Sequence, residues 1–576
     1  MILQALKEYY DRKAAANADA LAPPGFEWKE IPFVILLSKD GTPIRVENTL
    51  EEDGRKKRAK RFLVPQGVKK SCNIAANLLW GNAEYVVGIP DKNPVERVEK
   101  QHAAFIQKLD ASPASTDEGI QTVSRFLKRL DKIKLLETVC DGRPQDLFAK
   151  GANITFQLVG DSKIVAEREA VAKAIEGAAS NNSGEAVGLC LVTGKRDTTE
   201  KLHTAIKGVY GAQSSGANLV SFNIDASESF SKTQGGNAPV GKFAAFAYTT
   251  ALNYLLGKDS RQKLPIGETT VVFWAQRDHE IESQLADFFS EPQADEPDRG
   301  VKVVASLYKS IENGMFLNEE NSRNRFYILG LSPNASRIAV RFWIVDTVAG
   351  IGQKIKRHFD DLRLVHGPVE MEIFSLKRLL ACTAVQGKAN NIPPSLAGET
   401  VRAILDGTPY PQTLLQAAIR RIRAERTITY PRAALVKACI NRSTRFKNPA
   451  LEEELKMSLD EKNTTIGYRL GRLFAVLEKI QQEASPGINA TIRDRFYGAA
   501  SGTPATVFGN LMRLKNHHLS KLAGQGRRIY FEKLLGEIIS DMPAAVGFPA
   551  YLDLEEQGRF AIGYYHQQRD FFAKKD

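Results

Sequence analysis

Gly236, Gly241 and Lys242 stand at the spacing of a phosphate-binding loop, G-x-x-x-x-G-K. Such a loop presents backbone N–H groups and a lysine to phosphates, and needs a hydroxyl on the next residue for magnesium. The next residue here is Phe243, and Pro239 removes one N–H from the middle of the loop. ATP chemistry is therefore not expected. A flexible Gly-rich loop that touches a nucleic-acid backbone is the better reading. Asp278-His279-Glu280 has metal-ligand residue types, but adjacent residues do not share a face and no second cluster supports them. Cys190 with His203 is a lone pair of potential ligands, and His517-His518 lies in a basic helical stretch suited to phosphate contact and not to metal. The five cysteines, Cys72, Cys140, Cys190, Cys382 and Cys439, are scattered and contain no C-x-x-C pair. That pattern excludes a zinc ribbon and a disulfide framework, and free thiols fit a reducing cytoplasm. No catalytic residue, metal or cofactor is expected.

The cations are more informative. The chain carries a net charge of +12, which first suggests a partner with a phosphate backbone. The densest run is Arg55, Lys56, Lys57, Arg58, Lys60, Arg61, Lys69 and Lys70, followed at once by Ser71, Asn73, Asn77 and Asn82. Cations hold phosphates while amides read base edges. A second set lies in the loop 227–237, with Ser229, Lys232, Gln234 and Asn237. These assign motif readout to Asn73, Asn77, Gln234 and Asn237, and phosphate contact to the run and Lys232. A third region holds Arg420, Arg421, Arg423, Arg426, Arg432, Lys437, Arg442 and Arg445, and a predicted helix adds a stripe of Arg469, Arg472 and Lys479. Separated basic regions suit a protein that tracks an extended polyanion.

The elements that must position these residues follow from pattern. The chain of 576 residues exceeds one core, and its 43% apolar content is ordinary for a globular protein. No eighteen-residue apolar window is present, so no membrane span is expected; the opening MILQALKEYYDRKAAA reads as an amphipathic helix, not a secretion signal. Strands are predicted around a Lys39-Asp40-Gly41 turn, near 153–160 and 187–193, over 218–223 and in TTVVFWAQ. A hairpin is predicted to turn at Ser332-Pro333-Asn334, and helices near 94–110, 117–137 and after Pro239. From about Met371 helical spacing takes over; Ile466, Leu470, Leu473, Phe474, Leu477 and Ile480 share one side of a helix. The fold class expected is an α+β N-terminal portion, 1–370, followed by all-α portions at 371–456 and 457–576.

Five strings occur in order: MILQALKEYYDR, NLLWGNAEYVVG, QGGNAPVGKFAAFAYTTALNYLL, NRFYILGLSPNASRIAVRFW and IGYRLGRLFAVLEKIQQEA. Together they resemble the large subunit of the type I-C (Dvulg) CRISPR interference complex, Cascade, from the first residue nearly to the last. The Gly241-Lys242 pair after NAPV departs from that family's pattern. The resemblance implies a cytoplasmic, non-catalytic subunit of a crRNA-guided complex. Such a subunit recognises a protospacer-adjacent motif in duplex DNA, promotes unwinding and stabilises the R-loop with its displaced single strand. Its implied partners are crRNA, target DNA, the backbone subunits, the subunit that binds the crRNA 5′ handle, the small subunits and a helicase-nuclease. The rival classes are a nucleic-acid-dependent nuclease or ATPase, and a basic RNA-binding scaffold. Related complexes carry several copies of a small helical subunit, which suggests an internal start at Met457. Glu452-Glu453-Glu454, two codons upstream, has purine-rich codons that can mimic a ribosome-binding site.

Overall fold

The computed structural model describes residues 1–17, 20–53, 56–68, 74–140, 142–148, 151–180, 187–222, 224–266, 268–289, 308–309, 311–314, 318–370, 373–388, 391–540, 542 and 547–573. The N-terminal portion mixes strands and helices and the C-terminal portion is helical, as expected from the sequence. The chain divides into two compact units: residues 1–204 with 220–254, and residues 205–219 with 255–576. The positions 370 and 456 both fall inside the second unit.

The first unit opens with α1 (Ile2–Ala16), then β1 (Phe26–Glu30), β2 (Phe33–Leu37), β3 (Pro43–Asn48), β4 (Leu50–Asp53), β5 (Lys56–Ala59) and β6 (Arg61–Pro65). After β7 (Gly81–Asn82) come α2 (Ala83–Val86), α3 (Val95–Asp110), α4 (Glu118–Lys128), α5 (Lys132–Val139), α6 (Pro144–Leu147) and β8 (Asn153–Leu158). Its main sheet has the order β3-β2-β8-β7, with β2 and β8 parallel and the other pairs antiparallel. The unbroken apolar run FVILL in β2 follows from that central, parallel position. The β2–β3 turn falls where Asp40-Gly41 predicts it. The Asp40 carboxylate accepts from Thr42 N (3.1 Å) and bonds Ser38 and Thr42 side chains, which lowers its pKa to about 2. Asp117 caps α4 by accepting from Gly119 N (2.8 Å), and the core gathers Phe33, Ile35, Val123, Phe126 and Phe156. The unit ends with α7 (Glu169–Ser180), the small ribbon β9 (Val187–Leu189) with β10 (Arg196–Thr198), and α8 (Lys242–Leu255).

Three predictions shift here, before the second sheet. Residues 218–222 form no strand, only isolated bridges at Ala217 and Asn218. The helix predicted over 117–137 breaks at Arg129–Asp131 into α4 and α5. Pro239 does not open α8: the carbonyls of Pro239 and Val240 accept from Leu191 N and Glu200 N (2.9 Å each), which holds this stretch extended until Lys242.

The second unit builds an antiparallel sheet in the order of β11 (Lys263–Ile266), β12 (Thr269–Ala275), β13 (Arg325–Asn334) and β14 (Arg337–Thr347), with α9 (Ile281–Phe289) and α10 (Glu319–Arg323) between β12 and β13. The β13–β14 hairpin turns at Ala335-Ser336, beyond the predicted Ser332-Pro333-Asn334. Pro333 pairs with Ile338 and Asn334 with Arg337, so the ladder runs through the proline and Ala335 takes φ 52°. Helices follow: α11 (Val348–Leu362), α12 (Leu376–Ala381), α13 (Pro394–Asp406), α14 (Gln412–Glu425), α15 (Tyr430–Lys447), α16 (Ile466–Ala484), α17 (Ile492–Gly502), α18 (Phe508–Ser520), α19 (Gln525–Ser540) and α20 (Leu554–Asp570). One continuous core runs from β11 to α20. No helix among the described residues is long and apolar enough to cross a membrane.

Two buried histidines of this unit make its stability depend on pH. His358 bonds the Tyr410 hydroxyl and His566 Nδ1 lies 2.9 Å from the Tyr468 hydroxyl. Burial, reinforced by the charge of Arg442 at the first and of Lys437 at the second, pushes both pKa values down to about 3. Below an unfolded-state pKa of about 6.5 the unfolded chain therefore binds more protons than the folded one. Stability is fully present above that value and is lost as pH falls toward the folded pKa, by up to about 2.7 kcal/mol per pH unit for the two groups together. The urea midpoint of the second unit is expected to fall between pH 7.5 and 5.5; an unchanged midpoint contradicts neutral burial of both rings.

Candidate nucleic-acid interface

Two polar loops of the first unit flank one segment, residues 199–204. On one side, Gln66 Nε2 donates to Thr204 Oγ1 (3.2 Å). The loop that starts there is tied by Gly67 N donating to Glu27 Oε1 (3.2 Å) and Val68 N to Asn77 Oδ1 (3.0 Å). On the other side, a Cβ at Gly235 would come within 3.0 Å of the Glu200 carbonyl oxygen, so the loop 227–237 lies close against this segment and a side chain there would be tight. Thr199 bridges Gly241, and Glu200 N donates to Val240 O (2.9 Å). Gln66 and the Gly-rich loop, far apart in sequence, thus meet the same short segment.

The amides divide in role. Asn77 is 8% exposed and its oxygen is taken by Val68, so it braces its loop. Asn237 is spent likewise: its Nδ2 donates to Ser227 O (3.0 Å) and Lys232 O (3.3 Å), while its Oδ1 accepts from Ser229 Oγ (3.1 Å). Gln234, half-buried at φ 50°, and the exposed Lys232 remain as the loop's recognition groups. Asn73, Lys69, Lys70 and Arg55 lie outside the described residues.

Among the described residues of the basic run, Lys56–Ala59 forms one strand of a two-stranded ribbon. In register, β4 sets Glu51 against Arg58, Glu52 against Lys57 and Asp53 against Lys56. Arg58 also approaches Glu30 at 3.6 Å, Lys60 stands 5.3 Å from the Phe62 ring centroid, and Arg61 pairs with Glu30 across β1–β6. Glu51 and Glu30 beside Arg58 discount that part of the run as a pure phosphate rail.

The phosphate-loop resemblance meets a specific obstacle. Where a phosphate would sit, at the start of α8, the Asp197 carboxylate accepts from Phe243 N (3.4 Å). A side chain at Gly241 would overlap that carboxylate. An acid already occupies the anion position. In the Asp278-His279-Glu280 stretch, His279 Nδ1 accepts from Ile281 N (3.2 Å), a turn contact at the start of α9. Among the described residues no group of three His, Cys, Asp or Glu is placed to hold a metal ion.

The C-terminal cations are largely internal, which corrects the expected stripe. Arg469 and Arg472 are 1% and 2% exposed. Arg469 donates to Ile538 O (3.4 Å) and Arg472 to Gln567 Oε1 (3.0 Å). The reason is that α16 is covered all round: every residue from Gly467 to Glu478 is buried. In α15, Arg432, Lys437 and Arg442 are buried as well, bonded to Cys382 O, Glu453 and Asp361. In α14 the cations stay outside: Arg420 and Arg423 are exposed, and Arg421 pairs with Glu425 at 3.4 Å.

A family model for CRISPR-associated proteins, Cas_Csd1, matches residues 6–572. The chain belongs to that family. No curated protein sequence matches it. The match covers both units of this Cas_Csd1 protein, so the paired loops and the helical portion are parts of one CRISPR-associated chain and not a fusion of unrelated modules. Sequence reasoning missed three participants. Thr204 and Gln66 tie the first loop to the 199–204 segment through a contact 138 residues apart, which no local pattern signals. Phe230, at the tip of the second loop, is 95% exposed; its only sequence signal is an aromatic residue inside a Ser-rich, Gly-rich stretch.

Proposed function

We propose that this CRISPR-associated protein is the non-catalytic large subunit of a crRNA-guided type I-C interference complex. It recognises a protospacer-adjacent motif in duplex DNA, promotes unwinding, stabilises the R-loop and supports recruitment of the helicase-nuclease. The carrying observation is that Gln66, at the start of one polar loop, and Gly235, in the other, both meet residues 199–204, so two polar segments distant in sequence reach the same stretch of one unit. Such a surface suits short-motif readout with phosphate contacts on either side, while base pairing to the crRNA reads the rest. The Asp197 carboxylate at the start of α8 supports a role without nucleotide hydrolysis.

The test is binding of the assembled complex to duplexes with intact or scrambled motif. Gln234→Ala and Asn73→Ala are expected to cut the discrimination ratio by roughly tenfold each, the order of one lost base contact. Lys232→Ala should weaken both duplexes alike and flatten the salt dependence. Unchanged discrimination in both amide variants removes this assignment.

A further inference from the structure

Residues 199–204 touch both polar loops and are themselves fixed to α8 by a buried polar pair. His203 Nδ1 lies 2.5 Å from the Tyr248 hydroxyl, with ring centroids 5.6 Å apart. His203 is 5% exposed and Tyr248 is fully buried. A hydroxyl and an imidazole at this depth need each other, because both have given up water. Burial, with the charge of Glu200, raises the Tyr248 pKa, so the phenol stays neutral. The rest of the buried side of α8 is small: Ala244, Ala245, Ala247 and Ala251, with Leu252. Thr249 spends its hydroxyl inside the helix, on Ala245 O (2.8 Å). Tyr248 is thus the buried side chain of α8 that reaches 199–204 with a directional bond. Backbone contacts of Thr199 and Glu200 with Gly241 and Val240 pin one end of the segment, and the His203–Tyr248 bond pins the other, deeper in α8. α8 is held in turn by α1, where the Tyr10 ring meets Phe243 (6.2 Å) and Phe246 (5.7 Å) edge-on.

The two loops use opposite ends of this segment. Gln66 reaches Thr204, next to His203, and Gly235, next to Gln234, lies against the Glu200 carbonyl. Glu200 and Thr204 are four residues apart, a span of at most about 14 Å. A piece of chain this short, pinned at both ends, passes a shift at Thr204 on to Glu200. Two loops on separate supports contribute to discrimination as independent factors; two loops on one support do not. His203 and Tyr248 are too buried to touch nucleic acid, so any effect they have on readout passes through the segment.

We propose that the buried His203–Tyr248 pair positions residues 199–204 so that the two polar loops read the motif as one coupled unit. This rests on the motif-recognition reading above and adds to it how the two halves of the readout are held to each other. His203 and Tyr248 are positioning residues. The experiment uses the assembled, crRNA-loaded complex and duplexes with intact or scrambled motif, with Gln234→Ala introduced into wild-type, Tyr248→Phe and Thr204→Val chains. Tyr248→Phe keeps the ring and removes the hydroxyl. It is expected to lower the discrimination ratio by roughly fivefold, the order of one buried hydrogen bond. Affinity for the scrambled duplex and its salt dependence should stay as in wild type, because no phosphate contact is removed. Gln234→Ala, which costs roughly tenfold in wild type, should cost only about threefold in either background, a coupling of the size found inside one contact network. His203→Asn, whose amide can stand where Nδ1 stands, should keep wild-type discrimination. A full tenfold cost of Gln234→Ala in both backgrounds overturns the coupling. So does equal weakening of Tyr248→Phe on both duplexes, which makes the pair a support of the fold alone. If Tyr248→Phe yields no intact complex, the Thr204→Val background decides by the same criterion. A wild-type complex blind to the motif, or indifferent to Gln234→Ala, overturns the functional reading, and the coupling with it. Discrimination that Gln234→Ala reduces by the same factor in every background overturns the coupling alone.

Discussion

Replacing Asp361 by alanine is expected to destabilise the second unit by about 3–5 kcal/mol, the cost of removing one partner from a buried ion cluster. Asp361 sits at the C-terminal end of α11 and is 4% exposed. Its carboxylate receives Arg445 at 2.5 Å and Arg442 at 3.4 Å, both from α15. Arg442 also donates to Thr408 O (2.8 Å) and Ala403 O (3.0 Å) and lies 4.4 Å from the Tyr410 ring centroid, so it is fixed from three sides and has no route to water. Without the carboxylate this guanidinium stays buried with its charge uncompensated, and Arg445 is left with Glu452 alone. The same charge already depresses the pKa of His358, so the loss extends to the His358–Tyr410 pair. Asp361→Asn keeps a hydrogen-bond acceptor and is expected to be milder. The measurement is chemical unfolding followed by tryptophan fluorescence or hydrogen exchange in α11 and α15. A shift under about 1 kcal/mol in Asp361→Ala, typical of an exposed pair, means that water reaches this cluster.

The contrast between this cluster and the sequence pattern shows what was legible. The β2–β3 hairpin was readable because its turn is held by residues within four positions of each other, Ser38, Asp40 and Thr42. The apolar side of α16 was readable because Leu470, Leu473, Phe474, Leu477 and Ile480 recur at helical period. Its arginines misled for a physical reason: Gly467 and Gly471 let a second helix reach the opposite side, and Arg469 and Arg472 are buried because a carbonyl and an amide from distant helices receive them. In α15 the cations look like a polyanion track along the sequence, yet their acids come from Asp361 and from Glu453, through a fold the local pattern does not contain. The candidate interface was half legible. Residue types marked both loops, whereas their convergence and the posture of Phe230 depend on backbone angles at non-glycine residues, where sequence carries little signal.

The segment 457–576 is expected to occur also as a free product begun at Met457, beside the full chain. The glutamate run upstream does not by itself support this, because each glutamate is used in the fold. Glu452 binds Arg357 (2.9 Å), Glu453 binds Lys437 (2.7 Å) and Glu454 binds Arg559 (2.5 Å). Packing inside the segment supports it instead. α16 and α20 run parallel at backbone contact, since side chains at Gly467, Gly471 and Gly563 would overlap the carbonyls of Glu556, Phe560 and Tyr468. The buried Glu478 of α16 ties the pair further, accepting from Tyr564 (2.5 Å), Gln568 (3.1 Å) and Thr491 (2.6 Å). All of these contacts lie within 457–576. In the full chain the other face of α20 is covered by α14 and α15, where Gly558 meets Leu415, Val436 and Ile440. A free product would present that face to a neighbouring subunit. Its DNA contacts would fall to the exposed Arg513, Lys521, Arg528 and Lys533, and not to the buried Arg469 and Arg472. Met457 offers a clean switch: its side chain is 48% exposed and only its carbonyl is used, accepting from Val365 N (2.8 Å). Met457→Leu should therefore leave the full chain folded while mass spectrometry of the purified complex loses the small product. Gly471→Val should instead remove the product by unfolding it, at a cost of about 3 kcal/mol or more, because two helix backbones must separate. That cost corresponds to a Tm loss on the order of 10 °C for a chain of this size. If Met457→Leu leaves every small product and the affinity for DNA as they were, translation does not start there.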